Sequence, residues 1–271
     1  MNKIPLEDNF NDVLGKAQRG LQLGDEQLAK KAGVPVSDLA RAKEGHFDET
    51  IVRKLAPVLN LKTDALVALG KKAWYPKDLG KVPGLAAFTT AYGDMTVNSF
   101  LIWDPKTNQG AAFDTGADCS GMAKFAADNG IKIQMILLTH THPDHIADLA
   151  RLKSVTHATA FVCKLEAIDG AETFEVSRKF TVGPLKIDTR LTSGHSRGGV
   201  TYVVSGLPNH IAVVGDSMFA SSMGGGGVSY ADALKNNREQ ILTLSDDTIL
   251  CPGHGPLTTV GEEKEHNAFF A

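Results

Sequence analysis

A seven-residue run, Thr139–His145, reads T-H-T-H-P-D-H. It packs three imidazoles and a carboxylate into six positions, directly after the apolar stretch Ile133–Leu138, in a chain with only 9 His among 271 residues. On extended backbone, residues two apart share a face, so His140 and His142 point the same way. A turn at Pro143 then offers Asp144 and His145 from the start of a helix toward the same hollow. Neutral imidazoles with a carboxylate suit Zn, Fe or Mn, and four donors exceed what one open catalytic site takes from a single loop. The surplus argues for two ions sharing the site. A solvated polar loop would explain neither the density of donors nor the apolar strand that leads into them.

Three more candidate donors sit just past the ends of apolar segments. His195 lies in S-G-H-S-R-G-G after Leu185–Leu191, Asp216 closes I-A-V-V-G-D-S, and His254 lies in I-L-C-P-G-H-G-P. Glycines beside each allow tight turns that bring a ligand in close. Any one of them alone reads as a solvated loop residue; three in this context, downstream of the histidine run, read as the rest of a ligand set. His46, His157, His210 and His266 lack the context and read as surface or capping residues.

The texture of the chain changes near residue 72. Apolar residues at three-to-four spacing predict helices over Val13–Gln22, Glu26–Ala32, Ser37–Lys43, Thr50–Leu59 and Asp64–Leu69. Gly33, Gly45 and Gly70 stand where helices should stop, and Asp25, Ser37 and Thr63 are candidate caps. From Leu85 the pattern becomes strand-like, in Thr96–Trp103, Gly110–Phe113, Ile133–Thr139, Val200–Val204 and Ile211–Val214, with helical segments Cys119–Asn129 and His145–Lys153 interposed. The expected organisation is a helical domain at 1–72, a Pro-containing linker at 73–84 and an α+β domain at 85–271. Residues 1–72 carry 12 Lys and Arg against 10 Asp and Glu, and the remainder 16 against 21, so neither part has the basic patch that advertises nucleic-acid binding. The short apolar runs fall far below the roughly 20 residues of a membrane span, and the acidic start does not read as a signal peptide. A soluble, cytoplasmic protein is expected. Cys119, Cys163 and Cys251 are an odd number, far apart, and read as reduced structural thiols.

In this order and spacing, T-H-T-H-P-D-H, G-H-S, G-D-S and P-G-H-G-P resemble the metallo-β-lactamase-fold hydrolases, over roughly Leu85 to Ala271. The resemblance is strongest to the glyoxalase II-like branch, on Asp216 and on the ending P-G-H-G-P-L-T-T-V-G-E-E-K-E-H-N-A-F-F. It implies an αββα sandwich with the ions at one edge between two sheets. It further implies His140, His142 and His195 on a first ion, Asp144, His145 and His254 on a second, and Asp216 as the bridge. Asp114, in A-F-D-T-G, matches the family's aspartate that orients the ligand residues. Residues 27–45, with Gly33 at a turn, are similar to the Cro/C1-type helix-turn-helix domain. Pro35 replaces its capping hydroxyl, Ala40 a polar residue, and Asp38 puts an acid where a base- or phosphate-facing group is expected.

Two cations that share one water lower its pKa toward neutrality and polarise a carbonyl, so a metal-bridging hydroxide is the expected nucleophile, with Asp144 as the catalytic proton acceptor. Ser217 and Cys251 are then bystanders. Zn is the first expectation for the two divalent ions, with Fe or Mn as alternatives. The expected reaction is hydrolysis of a small thioester or similar activated ester, a small-molecule substrate. Glyoxalase II proper carries a further helical domain with glutathione-binding basic residues, whereas 17 residues follow His254 here; thioesters in general are the expectation. A phosphodiesterase or nuclease of the same fold, and a DNA-binding regulator with a hydrolase-like sensor, are the alternatives. The weak basic character of residues 1–72 argues against DNA, and any apolar helix surface left exposed there would suit pairing with a second copy of the chain.

Overall fold

The computed structural model describes residues 3–270. Five helices come first: α1 Phe10–Gly20, α2 Asp25–Ala32, α3 Val36–Lys43, α4 Glu49–Val58 and α5 Thr63–Gly70. Their periodicity was legible, but the caps lie one or two residues earlier than expected. Asn9, with Asp12 reaching back to its amide, opens α1, Gly24 precedes α2, Pro35 precedes α3, and Lys62 precedes α5. Asp48 is the one N-cap here whose carboxylate accepts from two free amides, those of Thr50 and Ile51. Gly33 ends α2 in the left-handed region at φ 62°, where a glycine carries no Cβ penalty. Residues 71–84 contain neither helix nor strand.

Two six-stranded sheets follow. The first runs in chain order: β1 Leu85–Tyr92, β2 Met95–Asp104, β3 Gln109–Phe113, β4 Lys132–Leu137, β5 Thr159–Cys163 and β6 Glu172–Phe174. Between its strands lie α6 Ser120–Asp128, the single turn α7 Pro143–Ile146 and α8 Leu149–Thr156. The second comprises β7 Lys179–Val182, β8 Leu185–Leu191, β9 Val200–Ser205, β10 Ile211–Gly215, β11 Ile249–Pro252 and β12 Thr258–Thr259, again in sequential order. Helix α9 Tyr230–Asn236 lies between β10 and β11, and α10 Val260–His266 follows β12. Strands β3 to β6 pair in parallel, as do β10 and β11; the other pairings are antiparallel.

Phe100, Phe113, Leu137, Tyr202, Val213 and Cys251 meet between the sheets. Alternate residues of the same sheets face outward: Ala112, Ile136 and Val162 pack under α6 and α8, while Ala212, Val214 and Leu250 pack under Ile241 and Val260. Both faces of the central strands are covered, so these strands read as continuous apolar runs rather than alternating ones. The architecture is the expected αββα sandwich, preceded by helices. The helix expected over His145–Lys153 is broken at Ala147 and Asp148 into α7 and α8. Strands β5, β6 and β7 had no clear signal, being short or edge-placed.

The five helices do not close a core by themselves. Leu28, Leu39, Val52, Leu55, Leu59 and Leu66 share a cluster with Met223, Ala233, Ala268 and Phe269 from the sandwich part. Trp74 stacks on His266 at 4.7 Å between centroids, and the Tyr75 hydroxyl donates to the Ile4 carbonyl at 2.6 Å. Among the described residues no helix is long and apolar enough to cross a membrane.

Candidate metal centre

The strand ends place the donors. His140 and His142 follow β4, Asp144 and His145 sit in α7, Asp114 follows β3, Asp216 follows β10 and His254 follows β11; His195 lies in the loop after β8. Two groups of side chains converge, each with its ligand atoms within 4.8 Å of one another: His140, His142, His195 and Asp216, and Asp144, His145 and His254. All seven predicted ligand residues are thus brought together. Asp216 stands between the groups. Its Oδ2 is 3.4 Å from His195 Nε2 and 3.4 Å from His254 Nε2, and its Oδ1 is 3.2 Å from His145 Nε2. Asp144 Oδ2 is 3.3 Å from His254 Nε2 and 3.5 Å from His145 Nε2. That close approach needs Gly253, because a Cβ there would overlap Asp216 Oδ1 and stand 2.6 Å from the His145 ring.

The outward-facing nitrogens decide what the inward ones can do. His195 Nδ1 donates to the Gly225 carbonyl at 3.0 Å and His254 Nδ1 to the Thr96 carbonyl at 2.6 Å. His145 Nδ1 donates to Asp114 Oδ2 at 2.8 Å, and Thr139 Oγ1, which itself donates to Asp114 at 2.7 Å, accepts from His140 Nδ1 at 3.0 Å. Carbonyl and carboxylate partners can only accept, so each of these rings carries its Nδ1 proton outward. In the neutral ring Nε2 is then a lone pair aimed at the centre. His142 Nδ1 lies 3.1 Å from His140 Nε2 and 3.0 Å from His195 Nε2, which crowds lone pairs together unless a cation or proton lies among them. His145 Nε2 and Asp216 Oδ1, both fully buried, also have no hydrogen-bond partner. Orphaned buried lone pairs of this kind are what a cation would satisfy, so the residues fit a metal centre.

The electrostatics agree. Burial, reinforced by the other imidazoles, lowers the His140 pKa well below its ordinary value, and burial lowers that of His195. Burial also opposes charge on His145, but the Asp216 and Asp114 carboxylates outweigh it and raise that pKa to about 10. His254 is raised to about 11 against its burial, by Asp144 and Asp216. Burial would push Asp216 up, yet His145 and His254 hold it well below the usual carboxylate range. The carboxylates therefore attract positive charge to the middle of the site, and a metal ion would have to displace protons to enter.

Several supporting residues gave no sequence signal. Glu166, in the turn after β5, accepts through Oε2 from the Thr141 amide at 3.1 Å and through Oε1 from the Gly198 amide at 2.9 Å. It thereby ties the His140–His142 loop to the His195 loop. Buried Asn98 donates to the Pro252 and Gly255 carbonyls at 3.0 and 2.8 Å, pinning the turn that carries His254. Ser217 is buried and donates to Thr192 Oγ1 at 2.8 Å. Burial raises the Cys251 thiol well above its ordinary pKa and that of Cys119 to about 12, so neither supplies a thiolate. His46, His157 and His210 are exposed, while His266 packs on Trp74.

The profile described as Metallo-beta-lactamase superfamily matches residues 92–254, from the end of β1 through His254. The chain belongs to the metallo-beta-lactamase superfamily. Its relatives support metal-dependent hydrolysis. A probable metallo-hydrolase of Bacillus subtilis, YqgX, is 28% identical over 199 residues, covering 63% of this chain and 90% of that protein. The hydroxyacylglutathione hydrolase GloC of Haemophilus influenzae is 26% identical over 202 residues, covering 64% and 92%. Among solved structures, TTHA1623 in a di-iron-bound form superposes with a TM-score of 0.56 at 22% identity, covering 68% of this chain and 100% of that one. At that identity the likeness concerns the fold. The superfamily match begins after α1–α5.

Proposed function

We propose that this superfamily member is a binuclear-metal hydrolase of a small thioester or similar activated ester. The observation that carries the reading is Asp216, whose two oxygens face histidines of both clusters. His140, His142 and His195 would hold one ion, Asp144, His145 and His254 the other, and Asp216 both. When bound, such a pair supplies a water acidified to near neutrality and an electrophile for the carbonyl oxygen. The chain's own part is orientation and proton handling. Asp114, Thr139 and the Thr96 and Gly225 carbonyls fix the imidazoles, and Asp144 stays ionised at neutral pH to receive the water's proton. Burial opposes that ionisation, but the hydrogen bond to His254 and the charge of His145 keep the Asp144 pKa below its ordinary value. The thioester class draws further support from the hydroxyacylglutathione hydrolase relative.

The test is turnover of a small acyl thioester, a lactone, nitrocefin and a phosphodiester by protein loaded in turn with Zn, Fe and Mn. The reading expects a thioester to be the fastest substrate. Comparable or faster turnover of nitrocefin or of the phosphodiester than of every thioester would contradict it.

A further inference from the structure

Beside the first cluster opens a cavity of about 570 Å³, within the range of small-molecule sites. Its walls come from two parts of the chain. His142, His195 and the Gly225–Val228 loop form one side; Lys16, Arg19 and Gly20, all on α1, form the other. The helix is fixed in place there. Gly20 packs so closely on Tyr230 that a Cβ would overlap the ring, and Lys16 Nζ reaches the Met223 carbonyl at 2.8 Å. Asp8, just before α1, binds both Lys16 and the Ser222 hydroxyl.

The two cations on this wall are not equivalent. Lys16 is neutralised by Asp8 and lies over the Phe219 ring, so its charge is already spent. Arg19 is exposed and makes no ion pair or side-chain hydrogen bond among the described residues. A cation in the last turn of a helix ordinarily answers the C-terminal carbonyls. The Arg19 guanidinium instead folds back one turn, with Nη1 3.1 Å from where a Gly15 Cβ would stand. No carboxylate lines the cavity, and Glu7, on the segment before α1, packs against Gly255 on the His254 side. Gly225 and Gly226 line the cavity, and their amides have no acceptor among the described residues. Exposed Val228 adds an apolar surface to the same wall.

We infer that Arg19 and the Gly225–Gly226 amides form an anion subsite for the substrate, selecting thioesters whose thiol portion carries a carboxylate or a phosphate. The inference rests on the thioester reading for the scissile bond, and on the cavity for the anion. A guanidinium with unused donors and backbone amides without acceptors, carried by residues that line one cavity, supply the kind of donors that either anion accepts. The helices that precede the sandwich thereby gain a role in specificity, as one wall of the active-site mouth.

The experiment uses the full chain and three thioether probes: S-methylglutathione, S-methyl-coenzyme A and the neutral N-acetyl-S-methylcysteamine. Calorimetric affinities are measured for the wild type, Arg19→Ala and Arg19→Lys, at low and high salt. At least one anionic probe is expected to bind more tightly than the neutral one. Arg19→Ala should lower that preference by about tenfold, with Arg19→Lys between, and added salt should weaken it. Preference for glutathione or for coenzyme A separates carboxylate from phosphate recognition. No preference for either anion, or a preference that Arg19→Ala leaves intact, overturns the subsite. Hydrolysis of the matching acetyl thioesters is followed in parallel as KM and kcat. Arg19-dependent binding without hydrolysis of any thioester would keep the subsite and reject the thioester reading; hydrolysis with a KM indifferent to Arg19 would do the reverse.

Discussion

Asp114 Oδ2 lies 2.8 Å from His145 Nδ1, and the same carboxylate accepts from the Thr139 amide and hydroxyl at 2.7 Å each. One side chain thus fixes the tautomer of a ligand in α7 and, through Thr139, the ring of His140 after β4. It does so from a backbone held at φ 55°, a region a short polar residue tolerates better than most.

Replacing Asp114 by Asn leaves one acceptor where the structure uses two oxygens. Both clusters are held through it, so Asp114→Asn should weaken metal affinity by about 10–100-fold, the usual cost of losing a partner that orients metal ligands. Chelator competition on the purified variant measures this. Affinity equal to the wild type would mean that the imidazoles are oriented by other means.

Glu166 makes the complementary prediction. Glu166→Ala frees the Thr141 and Gly198 amides, which lie beside the first-cluster donors His140, His142 and His195. One ion should therefore be held more weakly while the other is retained, with a stability loss of about 1–3 kcal/mol from unmet donors. Stepwise metal release and thermal unfolding read the two effects separately; loss of both ions together would contradict the local role.

The site was easier to foresee than its supports. T-H-T-H-P-D-H, G-H-S, G-D-S and P-G-H-G-P are dense in uncommon residues and follow apolar strands, so the side chains that converge in the two clusters could be picked out one residue at a time. Glu166, Asn98 and Arg19 are ordinary polar residues whose work depends on long-range placement: Asn98 reaches a turn 154 positions on. The break between α7 and α8 was hidden because the apolar spacing of Ile146, Leu149 and Leu152 continues across it. In α1–α5 the apolar stripe predicted the helices, but not that Met223 and Phe269 complete their core.

A pH dependence follows from Glu263, a fully buried carboxyl that bonds the Ser221 amide, Asn267 and Thr258 at 2.9, 2.7 and 2.7 Å. Burial outweighs these bonds and raises its pKa from 4.5 to about 8. The folded state therefore binds a proton that the unfolded chain has released, so this contribution is full below about pH 4.5 and is lost as pH rises through about 8. Glu263→Gln mimics the protonated form. Wild type should lose thermal stability relative to Glu263→Gln between pH 5 and pH 8, to an extent on the order of one kcal/mol per pH unit at most. A difference in Tm that stays constant over that range would show that Glu263 is ionised throughout.

For residues 1–72 we expect no tight DNA binding. Non-specific affinity comes from Lys and Arg neutralising phosphates, and this segment has 12 such residues against 10 acids. Lys43 is engaged by Asp25, and the first turn of α3 offers Val36, Ser37 and Asp38 rather than base-reading side chains. Gel shift of the full chain on genomic fragments at low salt checks this. Sub-micromolar, sequence-selective binding lost in Arg41→Ala would promote the regulator alternative, and light scattering of the same samples reports any pairing of chains.

Seven side chains that hold two ions through one shared carboxylate would show themselves in metal content. Protein prepared with Zn, Fe or Mn in turn, then freed of loosely bound ion, is analysed for metal per chain alongside Asp216→Ala. Close to two ions are expected in the wild type for at least one of these metals, and one or none in the variant. One ion or none in the wild type with every metal, or two ions undiminished in Asp216→Ala, would contradict the shared site.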